Sequence, residues 1–218
     1  MIIGVPKEIK NNEYRVAVTP DAAAELVRCK NTVYVQKGAG IGCGFSDEDY
    51  KKAGAEILTN ADDVFEKSEM IYKVKEILPD EYKYMNEGKI VFTYLHSNAH
   101  PDMNKALLDS KIIGIAYEDI IDENKQFPLL APMSELAGKG GFLAALYYSQ
   151  SVHGGPGTLL ANVRGVETPK ITIIGCGYSG MGAAELAASF GNKVTMLDIN
   201  YEAMAKAREL LPSNVEFL

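Results

Sequence analysis

The chain has 218 residues, 47% of them hydrophobic, and a formal net charge of −7. This length and apolar content suffice for one large or two small domains with a buried core. The negative charge argues against a nucleic-acid-binding surface, which needs clustered lysine and arginine.

The composition also limits the compartment and the metal chemistry. No apolar run approaches the ~18 residues of a membrane span, and charged Lys7 and Glu8 interrupt the first apolar run, so no signal peptide is predicted. Cys29, Cys43 and Cys176 are scattered, without a metal-ligand spacing, as is typical of a reducing compartment. We therefore expect a soluble cytoplasmic protein with no metal site and no nucleic-acid or membrane partner.

The first part of the chain alternates between strand and helix patterns. Short apolar runs predict strands at Ile2–Val5, Thr32–Gln36, Met70–Val74, Ile90–Leu95 and Ile112–Tyr117. Helices are predicted from Pro20 to about Arg28, after a capping box of Ser46 and Asp49, from Asn60 or Ala61, and from Pro101 to about Asp109. Strands separated by helices indicate βαβ units and a parallel sheet with helices on both faces.

A helical composition over Met133–Val152 predicts a helix that connects two domains, although its glycines weaken the pattern. We expect residues 1–132 to form a substrate-binding α/β domain. Residues 133–218 would contain the connecting helix and part of a second, nucleotide-binding domain.

A glycine-rich turn between a strand and a helix is the most informative pattern in the second domain. The strand Ile171–Ile174 leads into Gly175-Cys176-Gly177-Tyr178-Ser179-Gly180, and an alanine-rich helical segment follows. In a dinucleotide fingerprint the first glycine permits the tight turn, the second admits the pyrophosphate and the third allows close helix–strand packing. The helix N-terminus offers N–H groups to the phosphates. Gly175, Gly177, Ser179 and Gly180 are therefore candidate cofactor-binding residues.

The next strand, Lys193–Leu197, ends on Asp198, which is placed to accept hydrogen bonds from a ribose diol. An acid at this position favours NAD over NADP, because it would repel a 2′-phosphate. After Asp198 come only a predicted helix, Tyr201–Leu211, and a short run, Val215–Leu218. The predicted fold is α/β, with a Rossmann-like N-terminal substrate domain plus an incomplete doubly wound dinucleotide-binding domain.

Three cationic side chains are candidates for a substrate site. Lys75 and His96 follow two predicted strands at their carboxyl ends, where parallel sheets bind ligands, and Arg15 follows the first strand. Arginine offers a fork for a carboxylate, lysine stabilises developing negative charge, and histidine can exchange a proton near neutral pH. Together they suit a small 2-oxo acid.

The residues alone leave alternatives open at each position. Either Lys73 or Lys75 could be a solvated strand end, Arg15 could be a surface residue and His96 a buried structural histidine. Met133 is a further candidate substrate contact. Ser134 could cap the connecting helix, touch the cofactor, or do both.

Eight segments in the first 135 residues resemble the alanine dehydrogenase and transhydrogenase α-subunit family, and the resemblance runs over all 218 residues. They are Ile3–Glu8 with Asn11–Arg15, Val16–Pro20, Lys37–Gly40, Lys73–Glu76, Phe92–His96, Ala116–Glu118 and Leu130–Glu135. Alanine dehydrogenases have a histidine after the strand that corresponds to Phe92–Leu95, and transhydrogenase α-subunits typically lack it. His96 thus makes alanine dehydrogenase the better match.

The resemblance implies NAD-dependent oxidative deamination of L-alanine to pyruvate and ammonia. By position, Arg15 and Lys75 would bind the substrate, and Lys75 and His96 would be catalytic. Ser134, the three fingerprint glycines and Asp198 would hold NAD.

Family members are longer than this chain, and the dinucleotide domain here holds one half at most. We therefore expect an enzyme that is incomplete as this chain, either a fragment or one half that another chain completes. The expected protein partner is a second copy in a homo-oligomer or a complementing chain. One alternative is a non-catalytic binding module for a nucleotide or a small carboxylate. A weaker alternative is a transhydrogenase α-like subunit.

Overall fold

The computed structural model describes residues 1–218, which form two compact units, Met1–Ile120 and Ile121–Leu218. The division falls after residue 120 rather than 132. The assignment of a substrate domain and a nucleotide domain stays a prediction. None of the helices combines the length and apolar composition that crossing a membrane requires.

The first unit is built on a six-stranded sheet in which all strands pair in parallel. Its strands are β1 (Ile2–Val5), β2 (Thr32–Gln36), β3 (Glu56–Leu58), β4 (Met70–Tyr72), β5 (Ile90–Thr93) and β6 (Ile113–Ala116). In space their order is β3-β2-β1-β4-β5-β6, so the winding reverses between β1 and β4. This is the doubly wound order, in which ligands bind beyond the carboxyl ends of the strands. The Rossmann-like α/β prediction is confirmed.

Four α-helices connect these strands: α1 (Pro20–Arg28), α2 (Asp47–Lys52), α3 (Ala61–Lys67) and α4 (Pro101–Asp109). The predicted capping box at the start of α2 is confirmed, since Ser46 and Asp49 exchange side-chain and backbone hydrogen bonds. Asn60 caps α3 by accepting the N–H of Asp63 at 2.8 Å. Each cap satisfies N–H groups that the helix itself leaves unpaired.

The core of the first unit consists of two hydrophobic clusters. One surrounds Tyr50, whose hydroxyl donates to the Val18 carbonyl oxygen at 2.8 Å. The other surrounds Phe65 and Ile71 and includes Leu95, which immediately precedes His96. The segments that carry the candidate site are therefore anchored by buried apolar side chains.

The second unit contains three parallel strands in the order β7 (Lys170–Ile174), β8 (Lys193–Leu197) and β9 (Val215–Phe217). Its helices are α5 (Leu130–Tyr148), α6 (Tyr178–Ser189) and α7 (Tyr201–Leu210). Small and aliphatic side chains from α6, α7 and the three strands form one core cluster. Three parallel strands with intervening helices are one half of a doubly wound fold, as the sequence predicted.

Helices α5 and α6 pack backbone against backbone at two glycines. A Cβ atom at Gly138 would lie 1.8 Å from the carbonyl oxygen of Ser179. A Cβ atom at Gly182 would lie 2.5 Å from the carbonyl oxygen of Glu135. Gly138, which weakens the helical pattern in the sequence, is thus required for the close contact between the helices.

Two sequence predictions of secondary structure were wrong. The short edge strand β3 was not predicted; only one of its three side chains, Leu58, is buried. Helix α5 begins at Leu130 and not at Met133, with Leu129 in the N-cap position. Ser134 therefore lies inside the helix and does not cap it.

Candidate functional site

The structure brings Lys75 and His96 to one edge of the first sheet. Strands β4 and β5 are parallel neighbours, with Met70 opposite Ile90 and Tyr72 opposite Phe92. Lys75 and His96 each lie three residues beyond the carboxyl end of their strand, and by the strand register Lys75 is level with Leu95, the residue before His96. The two side chains occupy the place where a doubly wound sheet binds ligands.

The structure distinguishes the two candidate lysines. The side chain of Lys73 is fully buried, with Nζ 2.5 Å from Glu81 Oε1 and 3.5 Å from Glu8 Oε2. Lys73 is therefore a buried ion-pair residue, and the interpretation of it as a solvated strand end was wrong. Lys75 is half-buried, and its ammonium group makes no ion pair or hydrogen bond with another protein group. It is the lysine that a ligand can use.

Arg15 is held by an acid that the sequence analysis did not single out. Its Nε and Nη2 atoms donate to the two carboxylate oxygens of Glu13 at 2.8 and 2.6 Å. The hydrogen bonds from Arg15 hold the pKa of Glu13 below its usual range, and the charge of Lys75 acts in the same direction. Glu13 thus stays ionised between the two cations and fixes the guanidinium orientation.

Arg15 and Glu13 line a cavity of about 200 Å³. Its polar lining also includes Lys7 and Glu8, and its walls are completed by Tyr14, Gly38, Ala39, Ile41 and Gly42. The mixed charges suit a small ligand that carries a carboxylate.

Tyr94 interacts with both Arg15 and His96 at this edge of the sheet. Burial raises the pKa of the Tyr94 hydroxyl, the charge of Arg15 opposes that rise, and the charge of Glu118 adds to it. The Tyr94 ring stacks on the His96 ring, with centroids 5.8 Å apart and an interplanar angle of 8°. Arg15 and His96 are therefore neighbours of one aromatic side chain.

His96 is partly exposed, with 43% of its side chain accessible, and is not a buried structural histidine. It lines a groove of about 490 Å³ together with Ser97, Asn98, Ala99, Glu118 and Asp119. An open imidazole in a groove can reach a ligand and exchange a proton with it. Glu118 is the second acid that the sequence analysis did not select as a site residue.

The second unit carries the predicted nucleotide turn. Gly175 follows β7 with φ +108°, a conformation that favours glycine, and a Cβ atom at Gly180 would lie 1.9 Å from the carbonyl oxygen of Gly175. These two glycines are required by the turn itself.

Gly177 is different, because the protein alone does not explain it. Its φ of −72° and ψ of −179° suit any residue, and a Cβ atom there would meet nothing within 4 Å. The space beside it stays open at the N-terminus of α6, where no side chain caps the N–H groups. Such a cradle fits a pyrophosphate group of a dinucleotide.

Asp198 directly follows β8 and faces this turn. Its Oδ2 accepts the N–H of Cys176 at 2.6 Å, and its Oδ1 accepts the N–H of Asn200 at 2.8 Å. These backbone hydrogen bonds, that from Cys176 first, hold the pKa of Asp198 below its usual range. A half-buried, ionised carboxylate with unused lone pairs fits a ribose diol.

The remaining candidates belong to the second unit. Ser179 Oγ donates to the carbonyl oxygen of Ser134 at 2.9 Å, so this hydroxyl links α6 to α5. Met133 and Ser134 are half-buried in the first turns of α5. Contacts of Met133, Ser134 and Ser179 with ligands stay predictions.

Comparison with protein families matches both parts of the chain. A model of the "Alanine dehydrogenase/PNT, N-terminal domain" matches residues 4–137, and a model of the "Alanine dehydrogenase/PNT, C-terminal domain" matches residues 142–218.

Individual relatives give the same result. The chain is 47% identical over all 218 residues to an alanine dehydrogenase of Methanococcus maripaludis and spans 58% of its length. It is 44% identical to the Bacillus subtilis alanine dehydrogenase, again over the whole chain and 57% of the relative. The chain thus spans less than two thirds of the curated relatives that it matches.

Solved structures agree in fold. An L-alanine dehydrogenase aligns with a TM-score of 0.90 and 41% identity, over 100% of this chain and 60% of that one. A transhydrogenase from Sinorhizobium meliloti aligns with a TM-score of 0.82 and 25% identity, over 100% of this chain and 61% of that one.

Proposed function

The chain belongs to the alanine dehydrogenase/PNT family, and from this premise we propose that it provides the substrate and nucleotide sites of an NAD-dependent alanine dehydrogenase. The reaction is L-alanine, NAD⁺ and water giving pyruvate, ammonium, NADH and a proton. The observation that carries the proposal is the unpaired ammonium group of Lys75, at the same sheet edge as Arg15 and His96.

In this proposal Arg15 and Lys75 bind the substrate. Glu13 holds one edge of the Arg15 guanidinium, which orients the rest of the group toward the substrate carboxylate. Lys75 places its positive charge at the carbonyl oxygen of pyruvate, where negative charge develops during interconversion with the amino acid. Met133 is proposed as a further substrate contact.

His96 exchanges the proton that accompanies oxidation at the substrate Cα atom. Its exposure in the groove allows contact with the substrate, and an imidazole can act as a general acid or base. Lys75 and His96 are thus the proposed catalytic residues of this chain.

The nucleotide is assigned to the second unit. The open space at Gly177 would accept the pyrophosphate, Gly175 and Gly180 shape the turn, and Asp198 would accept the ribose hydroxyls. When bound, NAD⁺ supplies the hydride acceptor. Ser134 and Ser179 are proposed to line the same site.

Further parts of this account are also proposals. The substrate pair alanine and pyruvate, assembly into a homo-oligomer or with a complementing chain, and a cytoplasmic location are all carried over from the sequence and the relatives. A non-catalytic module that binds the nucleotide without turnover is the competing outcome.

Two measurements on the chain test the proposal. Equilibrium dialysis with NADH should detect binding, and alanine-dependent NADH formation should report any turnover. His96→Ala should abolish turnover while it leaves NADH affinity intact, whereas His153→Ala, an exposed residue in a turn of the second unit, should change neither. Tight NADH binding without turnover would favour the binding module, and a loss of NADH affinity in His96→Ala would contradict the division of roles.

A further inference from the structure

His96 has an unusual backbone conformation. Its φ of 49° and ψ of 42° lie in the left-handed region, which disfavours residues that carry a Cβ atom. A histidine keeps such a conformation only where its surroundings impose it.

The Glu118 carboxylate supplies that constraint. Its Oε1 accepts the backbone N–H of His96 at 2.5 Å, and its Oε2 accepts the N–H of Leu95 at 3.3 Å. Two successive N–H groups thus converge on one anion, an arrangement found in backbone nests, in which left-handed residues occur. Only 18% of the Glu118 side chain is exposed, which strengthens these charge-assisted bonds.

The same carboxylate faces the imidazole ring. His96 Nδ1 lies 3.9 Å from Glu118 Oε1, while the ring stacks on Tyr94 at 5.8 Å between centroids. The ring therefore has an acid near Nδ1, beyond direct hydrogen-bond distance, and an aromatic ring stacked on its face. Nε2 is left as the nitrogen for a ligand.

Glu118 is itself held rigidly. It lies in a 3₁₀ turn, Tyr117–Asp119, directly after β6, which is the parallel neighbour of β5. The neighbouring Tyr117 is buried and its hydroxyl donates to the Lys73 carbonyl oxygen at 2.6 Å. The acid is thus fixed to the sheet independently of the loop that carries His96.

We propose that Glu118 is the positioning residue of His96: it fixes the left-handed backbone and presents Nε2 to the substrate. The link to proton transfer rests on the proposed function. The control of the His96 conformation does not depend on it, and the two can be tested separately.

The chain has only three histidines, His96, His100 and His153, which makes NMR of the ring and backbone signals selective. Spectra of histidine-labelled wild type are compared with Glu118→Ala, Glu118→Gln and a control, Asp119→Asn. Asp119 lines the same groove but makes no hydrogen bond or ion pair with His96. Pyruvate is then added to each sample.

In Glu118→Ala, the His96 amide should exchange with solvent about tenfold faster, as expected for a lost charge-assisted hydrogen bond. Its ring signal should move, because the ring leaves the Tyr94 stack, while the other two histidine signals stay in place. Glu118→Gln keeps one hydrogen-bond acceptor, so its His96 amide exchange rate and ring signal should lie between those of wild type and Glu118→Ala. If the alanine variant does not fold, the comparison of Glu118→Gln with wild type decides the test. Asp119→Asn should match wild type.

An unchanged His96 ring signal and amide exchange rate in Glu118→Ala would overturn the proposal, as would equal effects in Asp119→Asn. The pyruvate step distinguishes the two hypotheses. If both hypotheses hold, pyruvate moves the His96 signal in wild type. In Glu118→Ala the pyruvate-induced shift of that signal should be at least tenfold smaller. If pyruvate moves no signal in wild type, the proposed function fails, while the spectra without pyruvate still decide the role of Glu118.

Discussion

The open space at Gly177 gives a prediction that separates a ligand role from a structural role. Valine at this position fits the backbone, since φ is −72° and ψ is −179°, and its Cβ atom would meet no protein atom within 4 Å. Gly177 is the N-cap residue of α6, where valine is less favourable than glycine, so we expect the free energy of unfolding of Gly177→Val to fall by no more than about 1 kcal/mol.

Nucleotide affinity should respond very differently. The new side chain would occupy the cradle proposed for the pyrophosphate, and forcing extra methyl groups into a filled site costs about 1–3 kcal/mol. By the ratio of about 1.4 kcal/mol for each factor of ten, this corresponds to roughly 5- to 150-fold weaker binding.

Calorimetry or equilibrium dialysis with ADP-ribose measures this loss, because the fingerprint would contact only that half of NAD. Gly140→Ala is the matched control, since this glycine of α5 also has no neighbour within 4 Å of an added Cβ atom. Unchanged ADP-ribose affinity in a folded Gly177→Val variant would refute the pyrophosphate assignment. A large loss of stability would refute the claim that the space is free.

Three other predictions concern stability. Gly138→Ala should lower the free energy of unfolding by about 1–3 kcal/mol in urea titration, because its Cβ atom would lie 1.8 Å from a backbone oxygen, whereas Gly141→Ala should not. Lys73→Met should destabilise the chain by about 3–5 kcal/mol, because it leaves buried carboxylates unpaired; an effect below 1 kcal/mol would contradict the buried ion-pair assignment. The stability contributed by Glu13, whose pKa the Arg15 hydrogen bonds lower from 4.5, should be complete above that pH and should disappear as pH falls through the lower folded value. Acid titration of Glu13→Gln against wild type checks this, and a difference that persists at the lowest pH would contradict it.

The nucleotide turn could be predicted from the sequence because its determinants are local. Gly175, Gly177 and Gly180 lie within six residues, and Asp198 ends the next strand, so a single βαβ unit brings them together. The same holds for the cap at Ser46 and Asp49, which depends on residues three apart.

The placement of Lys75 and His96 at one edge of the sheet could be predicted from the strand ends, but the acids that contact these segments could not. Glu8 accepts the N–H of Val74, 66 residues away in the chain, and Glu118 binds His96 across 22 residues. No local pattern marks such long-range contacts. They depend on which strands become neighbours, and no pattern in the sequence indicates the pairing order.

Lys73 and Lys75 illustrate the same limit of local patterns. Both follow an apolar run, and their spacing of two residues would put both on the same face of an extended strand, so the local pattern does not distinguish them. Their difference depends on Glu8 and Glu81, which surround one lysine and not the other. Burial by distant segments therefore decides which lysine is free to bind a ligand.

Pyruvate binding to the chain, measured by calorimetry, tests the substrate site most directly. We predict that wild type binds pyruvate and that Lys75→Ala weakens the binding about tenfold to a hundredfold, the value of one charged hydrogen bond. Lys105→Ala, which removes an exposed lysine paired with Asp109 in α4, should leave the affinity unchanged. Equal pyruvate affinity in wild type and Lys75→Ala would contradict the account.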